Sequence, residues 1–235
     1  NNLISTNYGE LTGMRFLRQL KRLDINLIKL INNLKLKHGK NVKLRKIEEY
    51  NNLVNRIKSY TKNEVNRIIN KLYVRHKPKV INVEELNFQH SNLSKQLNRL
   101  LSKFGLGVIT NKLKSLESYG VIINYVDASY SSLTCNVCGY VDKKNRLKQS
   151  EFKCKCCGLK QHGDINSTRT LEKFSKRFGD KIFYGKIGRN NKLKLLIEDF
   201  IVFGKQFWMN NESVIQTLNN NNYYLMFQDE IKLQV

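Results

Sequence analysis

Proline is almost absent from these 235 residues, Pro78 being the only one, so no proline-rich linker divides the chain. Cysteine is missing from all but a 23-residue window: five lie between 135 and 157 and none elsewhere. That clustering excludes a disulfide framework and fits metal binding in a reducing, intracellular compartment. No run approaches the ~20 apolar residues that cross a bilayer. Nor is there a signal-peptide pattern, so neither a membrane protein nor a secreted one is expected. Acidic residues are scarce, 19 against 42 Lys and Arg, which leaves a formal net charge of +23.

With 40% hydrophobic and 10% aromatic residues, the chain reads as a folded protein rather than a basic disordered tail. A surface this basic attracts polyanions, chiefly nucleic acid, because each neutralised phosphate releases condensed counterions. The charge is uneven. Residues 14–79 hold 19 Lys and Arg against 4 Asp and Glu, whereas residues 179–235 hold 7 against 6. The nucleic-acid footprint is therefore expected in the first two thirds, with Lys21, Arg22, Arg56 and Lys58 as candidate phosphate contacts.

Periodicity gives the elements. "NNLISTNYGELTG" reads as a short strand and a turn. Leu17, Leu20, Ile28, Ile31 and Leu34 then recur at helical spacing in a basic background, and "HGKN" breaks the pattern. A second stripe follows through Ile47, Tyr50, Val54, Ile57, Val65, Ile68 and Leu72, so residues 14–77 read as an antiparallel basic hairpin. Pro78 ends it, and Val80, Ile81 and Val83 read as a buried strand. Helices over "HSNLSKQLNRLLSKF" and "GVITNKLKSLESYG", a strand over "VIINYVDASY" and a helix from Asp164 complete an α/β domain with a mixed sheet. The stretch 179–235 shows helical pattern and no chemistry.

Cys135 and Cys138 form one C-x2-C pair, Cys154 and Cys157 another, 15 residues apart. Four thiolates so spaced suit a structural, tetrahedral Zn2+, each pair forming a knuckle closed by Gly139 or Gly158. Cys156, inside the second pair, is left out by the i, i+3 spacing. Glu84 stands at a strand end and Asp164 at a helix start. Singly, these are a solvated strand end and a helix cap; together, they are how two-metal nucleases hold Mg2+ or Mn2+.

The segments "VINVEELNF", "YSSLTCNVCGYVDKKNRLKQSEFKCKCCG" and "GDINSTRTL" resemble the C-terminal part of the TnpB family, transposon-associated RNA-guided nucleases related to type V CRISPR effectors. The resemblance runs from Asn1 to about Leu171. It implies an RNase H-like, RuvC-type mixed sheet with an inserted basic hairpin and a zinc ribbon. It places the family's second acid on Glu84 and its third on Asp164. The first, in a "D-x-G" motif, would stand just before Asn1, so the fold is expected to be truncated at its N-terminus and to cut weakly if at all. The expected domains are residues 1–130 (first part of the core, hairpin 14–77 inserted), 131–160 (ribbon), 161–178 (last core helix) and 179–235 (extension). The expected function is a DNA-binding protein of endonuclease ancestry, linked to transposition and recombination, with guide RNA a partner in the family context. The alternative is a non-enzymatic zinc-ribbon module, such as a nuclease-dead repressor.

Overall fold

A computed structural model describes residues 2–84, 105–179 and 188–219. The helix expected over 90–104, and the part of the extension beyond 219, lie outside the described residues. The chain divides into two compact units.

The first unit is built on helices. A short strand β1 (Ile4–Ser5) leads through a turn to β2 (Leu11–Thr12), its partner. Helix α1 (Met14–His38) ends in Lys35, Lys37 and His38, which suit the negative end of the helix dipole. Gly39, with φ of +86°, makes the break in a backbone region costly for any side chain. After a 3-10 turn (Leu44–Lys46), α2 (Glu48–His76) opens on Glu48 and Glu49 and closes on Arg75 and His76, again matching the dipole. The two helices pack together, and α2 also meets α3 (Leu106–Glu117).

The apolar seam of α1 runs through Phe16, Leu20, Leu23, Leu27 and Leu34, and that of α2 through Ile57, Val65, Ile68 and Ile69. This corrects the expected stripe in one respect. Ile28 is 37% exposed, because the buried set repeats near 3.5 residues and leaves position 28 about a quarter-turn off the seam.

The second unit contains the end of β3 (Val80–Glu84), that is residues 82–84, and the end of β4 (Ile122–Val126), residues 124–126. Then come β5 (Glu151–Lys153) and β6 (Lys160–His162), antiparallel with Phe152 opposite Gln161. Helix α4 (Gly163–Phe178) starts directly from β6. Three more helices follow: α5 (Arg189–Phe203), α6 (Lys205–Trp208) and α7 (Glu212–Asn219). One apolar cluster joins Tyr140, Val141 and Phe152 of the ribbon, Leu171 and Phe174 of α4, and Leu193, Leu196, Ile197 and Phe200 of α5.

The α/β character stands, but the single mixed sheet does not appear among the described residues. The strands pair two by two, β1 with β2, β3 with β4 and β5 with β6. No helix of the described residues is long and apolar enough to cross a membrane.

Candidate functional site

Two reverse turns build the cysteine site. Cys135 N–H donates to Tyr140 O and Gly139 N–H to Cys135 O; Cys154 N–H donates to Leu159 O and Gly158 N–H to Cys154 O. Gly139 and Gly158 have φ of +84° and +72°, the left-handed conformation that lets each turn close behind its second cysteine. Asn145, fully buried, staples the two turns. Its amide nitrogen donates to Leu133 O and Tyr140 O, and its oxygen accepts from Lys155 N–H.

The sulfurs of Cys135, Cys138, Cys154 and Cys157 all lie within 4.8 Å of one another, the one such cluster of metal-ligand atoms among the described residues. Cys135 and Cys157 are 3.6 Å apart, Cys138 and Cys154 3.5 Å. A tetrahedron with Zn–S of ~2.3 Å has S···S edges of ~3.8 Å, so the donor set fits zinc. The electrostatics agree. Hydrogen bonds from Cys138 and Cys154 pull the Cys135 thiol well down, while the same contacts and burial push Cys138 and Cys154 up. Four thiolates this close cannot coexist without a cation between them. Backbone N–H groups of Cys156 and Cys157 point at Cys154 Sγ, both at 3.4 Å. Cys156 is not one of the four clustered sulfurs; its thiol donates to Phe207 O at 3.5 Å, and burial raises it to about 11.

The ribbon delivers more than its metal. Arg146 follows Asn145, and its guanidinium donates to Asp164 Oδ1 at 2.6 Å, to Gln149 O at 2.6 Å and to Ser167 Oγ at 3.2 Å. Gly163 makes room for this: a Cβ there would meet Gln149 O at 2.6 Å and Arg146 Nε at 2.9 Å. Asp164 is not the cap of α4. That place is taken by His162, whose Nδ1 accepts from Asp164 N–H at 3.2 Å. The Asp164 carboxylate is thus free of capping and fixed by an arginine.

Glu84 lies at the end of β3. Its residue surface is open to solvent, yet surrounding protein crowds its carboxyl. Desolvation pushes its pKa above the ordinary value; the charge of Arg146 opposes the rise, and that of Asp164 adds to it. Glu84, Arg146 and Asp164 therefore share one electrostatic neighbourhood. Arg146 was missed in the sequence, since nothing local marks one basic residue among the five between the two cysteine pairs.

The candidate phosphate contacts fall elsewhere, in the first unit. Arg22, Arg56 and Lys58 are exposed and Lys21 is half-buried.

The described part of the extension is tied into the second unit. Lys192 of α5 is 1% exposed, with Nζ 3.6 Å from Asp127 Oδ1, donating to Asp127 O, and 4.2 Å from the centre of the Phe174 ring. Trp208 Nε1 donates to Phe200 O, and Asn211 Nδ2 to Cys156 O, so this segment is bonded to the ribbon itself.

An α/β protein with a four-cysteine ribbon whose arginine bonds Asp164 in the electrostatic neighbourhood of Glu84 is the class these features define. Residues 109–171 match the family described as Cas12f1-like, TNB domain. A CRISPR-associated endodeoxyribonuclease Cas12f1 of Sulfoacidibacillus thermotolerans is 25% identical over 135 residues, 57% of this chain and 31% of the relative. The Cas12f1 of Syntrophomonas palmitatica is 40% identical over 50 residues, 21% of this chain and 10% of the relative. The chain thus matches about a third and a tenth of the length of these relatives. A Cas12f1–sgRNA–target DNA complex superposes with a TM-score of 0.49 at 20% identity, over 72% of this chain and 44% of that one. These matches support a TnpB/Cas12-like family member, on a family-model match to residues 109–171 and a partial match to Cas12f1.

Proposed function

We propose that this chain is a nucleic-acid-binding protein of the RNA-guided nuclease lineage, with a phosphodiester-hydrolysing site of RuvC type at Glu84, Arg146 and Asp164. Guide RNA and DNA are its proposed partners, and transposition or recombination its proposed setting. The observation that carries this reading is the Arg146–Asp164 bond beside Glu84, next to a ribbon whose residues match the Cas12f1-like family.

The two carboxylates are hard oxygen donors; desolvation raises the pKa of Glu84 and the charge of Asp164 adds to the rise, and a cation between them would relieve both. A bound Mg2+ or Mn2+, held by Glu84 and Asp164, would supply an activated water and charge for the leaving oxygen. Arg146 holds the Asp164 carboxylate in one orientation and keeps a positive charge where an incoming phosphate meets the two acids. The basic hairpin contributes unspecific attraction to the phosphate backbone.

The test is cleavage of labelled single-stranded and duplex DNA by the zinc-loaded chain in Mn2+. Asp164→Asn and Glu84→Gln should each lower cutting by about 100-fold or more, on the order expected for losing a charge that acts only in the transition state. Cutting that survives both substitutions overturns the site. Binding that never leads to cutting points instead to the non-enzymatic module. DNA affinity should fall with salt at a slope near −5 if ~6 phosphates are contacted. Reversing Lys21, Arg22, Arg56 and Lys58 together should flatten that slope; an unchanged slope places the footprint on other residues.

A further inference from the structure

The two acids ride on different elements, Glu84 on β3 and Asp164 on α4, and the Arg146 bond fixes only the start of the helix. A second tie lies three turns further on. Ser175 Oγ donates to Asn82 Oδ1 at 2.7 Å, and Asn124 Nδ2 of β4 donates to the same oxygen at 3.1 Å. All three side chains are half-buried.

The registers give this node its meaning. Strand side chains alternate, so Asn82 and Glu84 share a face of β3. Eleven residues make ~3 turns of helix, so Ser175 and Asp164 share a face of α4. The Ser175–Asn82 bond therefore joins the strand face that carries one acid to the helix face that carries the other. Both donors converge on one amide oxygen, which fixes how that amide is turned. The strand can then not slide along the helix without breaking the Ser175–Asn82 bond.

We infer that Ser175 and Asn82 are a positioning pair, setting the separation of the Glu84 and Asp164 carboxylates and so their joint affinity for a divalent cation. Neither touches the cation or the substrate; they act through the acids. Outer partners of this kind change metal affinity by about 10–100-fold when removed. The inference rests on the proposed acid site.

The experiment measures Mn2+ binding to the zinc-loaded chain from the EPR signal of free Mn2+. Asp164→Asn is the reference that shows whether the acid site binds the ion at all. Ser175→Ala should weaken Mn2+ binding about 10-fold, with zinc content unchanged and the helix kept, since alanine is the better helix former. Ser175→Thr, which retains the hydroxyl, should recover most of the affinity. Approached from the strand side, Asn82→Ala should give at least the same loss, since it also frees Asn124, and the double variant no more than Asn82→Ala alone, because the Ser175–Asn82 bond is already gone. Ser175→Ala binding as tightly as the parent, or losses that simply add, overturns the pair. Mn2+ binding indifferent to Asp164→Asn overturns the acid site itself, and the pair with it.

Discussion

Stripping the metal from the four cysteines should unfold the ribbon and loosen the second unit around it. The reason is one of magnitudes. Structural zinc in small ribbons contributes about 10–16 kcal/mol of apparent binding free energy near neutral pH. Whole domains are stable by only about 5–15 kcal/mol. The β5–β6 pair is three residues long, and a two-stranded hairpin is marginal in water by itself. Cys154→Ser leaves three thiols, and a chelator leaves four, in each case without a cation held tightly enough to keep them together. The expected result is loss of close to one equivalent of zinc and of the Trp208 fluorescence signature, since Trp208 donates to Phe200 O and the Phe200 ring meets Tyr140 of the ribbon, tilted, with centroids 5.2 Å apart. The helices α1 and α2 draw on a separate seam, and most of the far-UV helical signal should persist. Cys156→Ser is the control. Cys156 Sγ is not one of the four clustered sulfurs and its thiol donates to Phe207 O, so zinc should stay near one equivalent. Zinc loss in Cys156→Ser as complete as in Cys154→Ser would overturn the ligand set.

That outcome bears on what could be read from the chain alone. Ligand spacing is a local property, dictated by how tightly a backbone must turn around one metal, so the four cysteines and their two glycines were legible. The hairpin was legible for the same reason, although the register of its seam was not: Ile28 fits a 3.6-residue repeat but falls outside the tighter one that two packed helices adopt. Arg146 was invisible because its proximity to Asp164 is made by the ribbon folding back over 18 residues, pinned by Asn145. Gly163 carried a trace of it, as the one residue whose missing side chain leaves room for the guanidinium. Neither the burial nor the pairing of β3 was legible: the run expected to be buried leaves Val80 44% exposed and none of its residues fully buried, and an apolar run does not name a strand's neighbour. The extension hid in plain view. Leu193, Leu196, Ile197 and Phe200 have the spacing of a core helix, but the face they cover belongs to a metal-built ribbon whose surface the sequence does not display.

Lys192 should make the protein more stable as pH rises from about 8 towards 10.5. Its side chain is buried between Phe174, Phe178 and Asp127, and desolvation lowers its pKa from 10.5 to about 8 despite the attraction of Asp127. Below pH 8 the lysine is charged in both folded and unfolded chains, and the fold bears the full cost of burying that charge. Between 8 and 10.5 the folded chain has released the proton while the unfolded one still holds it, so the unfolded state binds more protons and stability climbs with pH. At 1.36 kcal/mol per pKa unit the rise amounts to ~3 kcal/mol. Cys156 works in the opposite sense above its ordinary value of 9.0, because burial raises it to about 11. The measurement is therefore a difference, with Cys156 present on both sides. Urea unfolding of the zinc-loaded chain, followed by Trp208, the only tryptophan, is compared with that of Lys192→Met from pH 7 to 10.5. Methionine fills the same slot between the rings without the charge, and the pH-dependent rise should vanish from it. Lys192→Ala should lose the rise as well, and in addition ~2–5 kcal/mol at every pH, the usual cost of emptying a long side chain from a packed core. A parent protein whose stability relative to Lys192→Met does not change across that window would mean that Asp127 and the two rings solvate the ammonium as well as water does, and that burial there costs nothing.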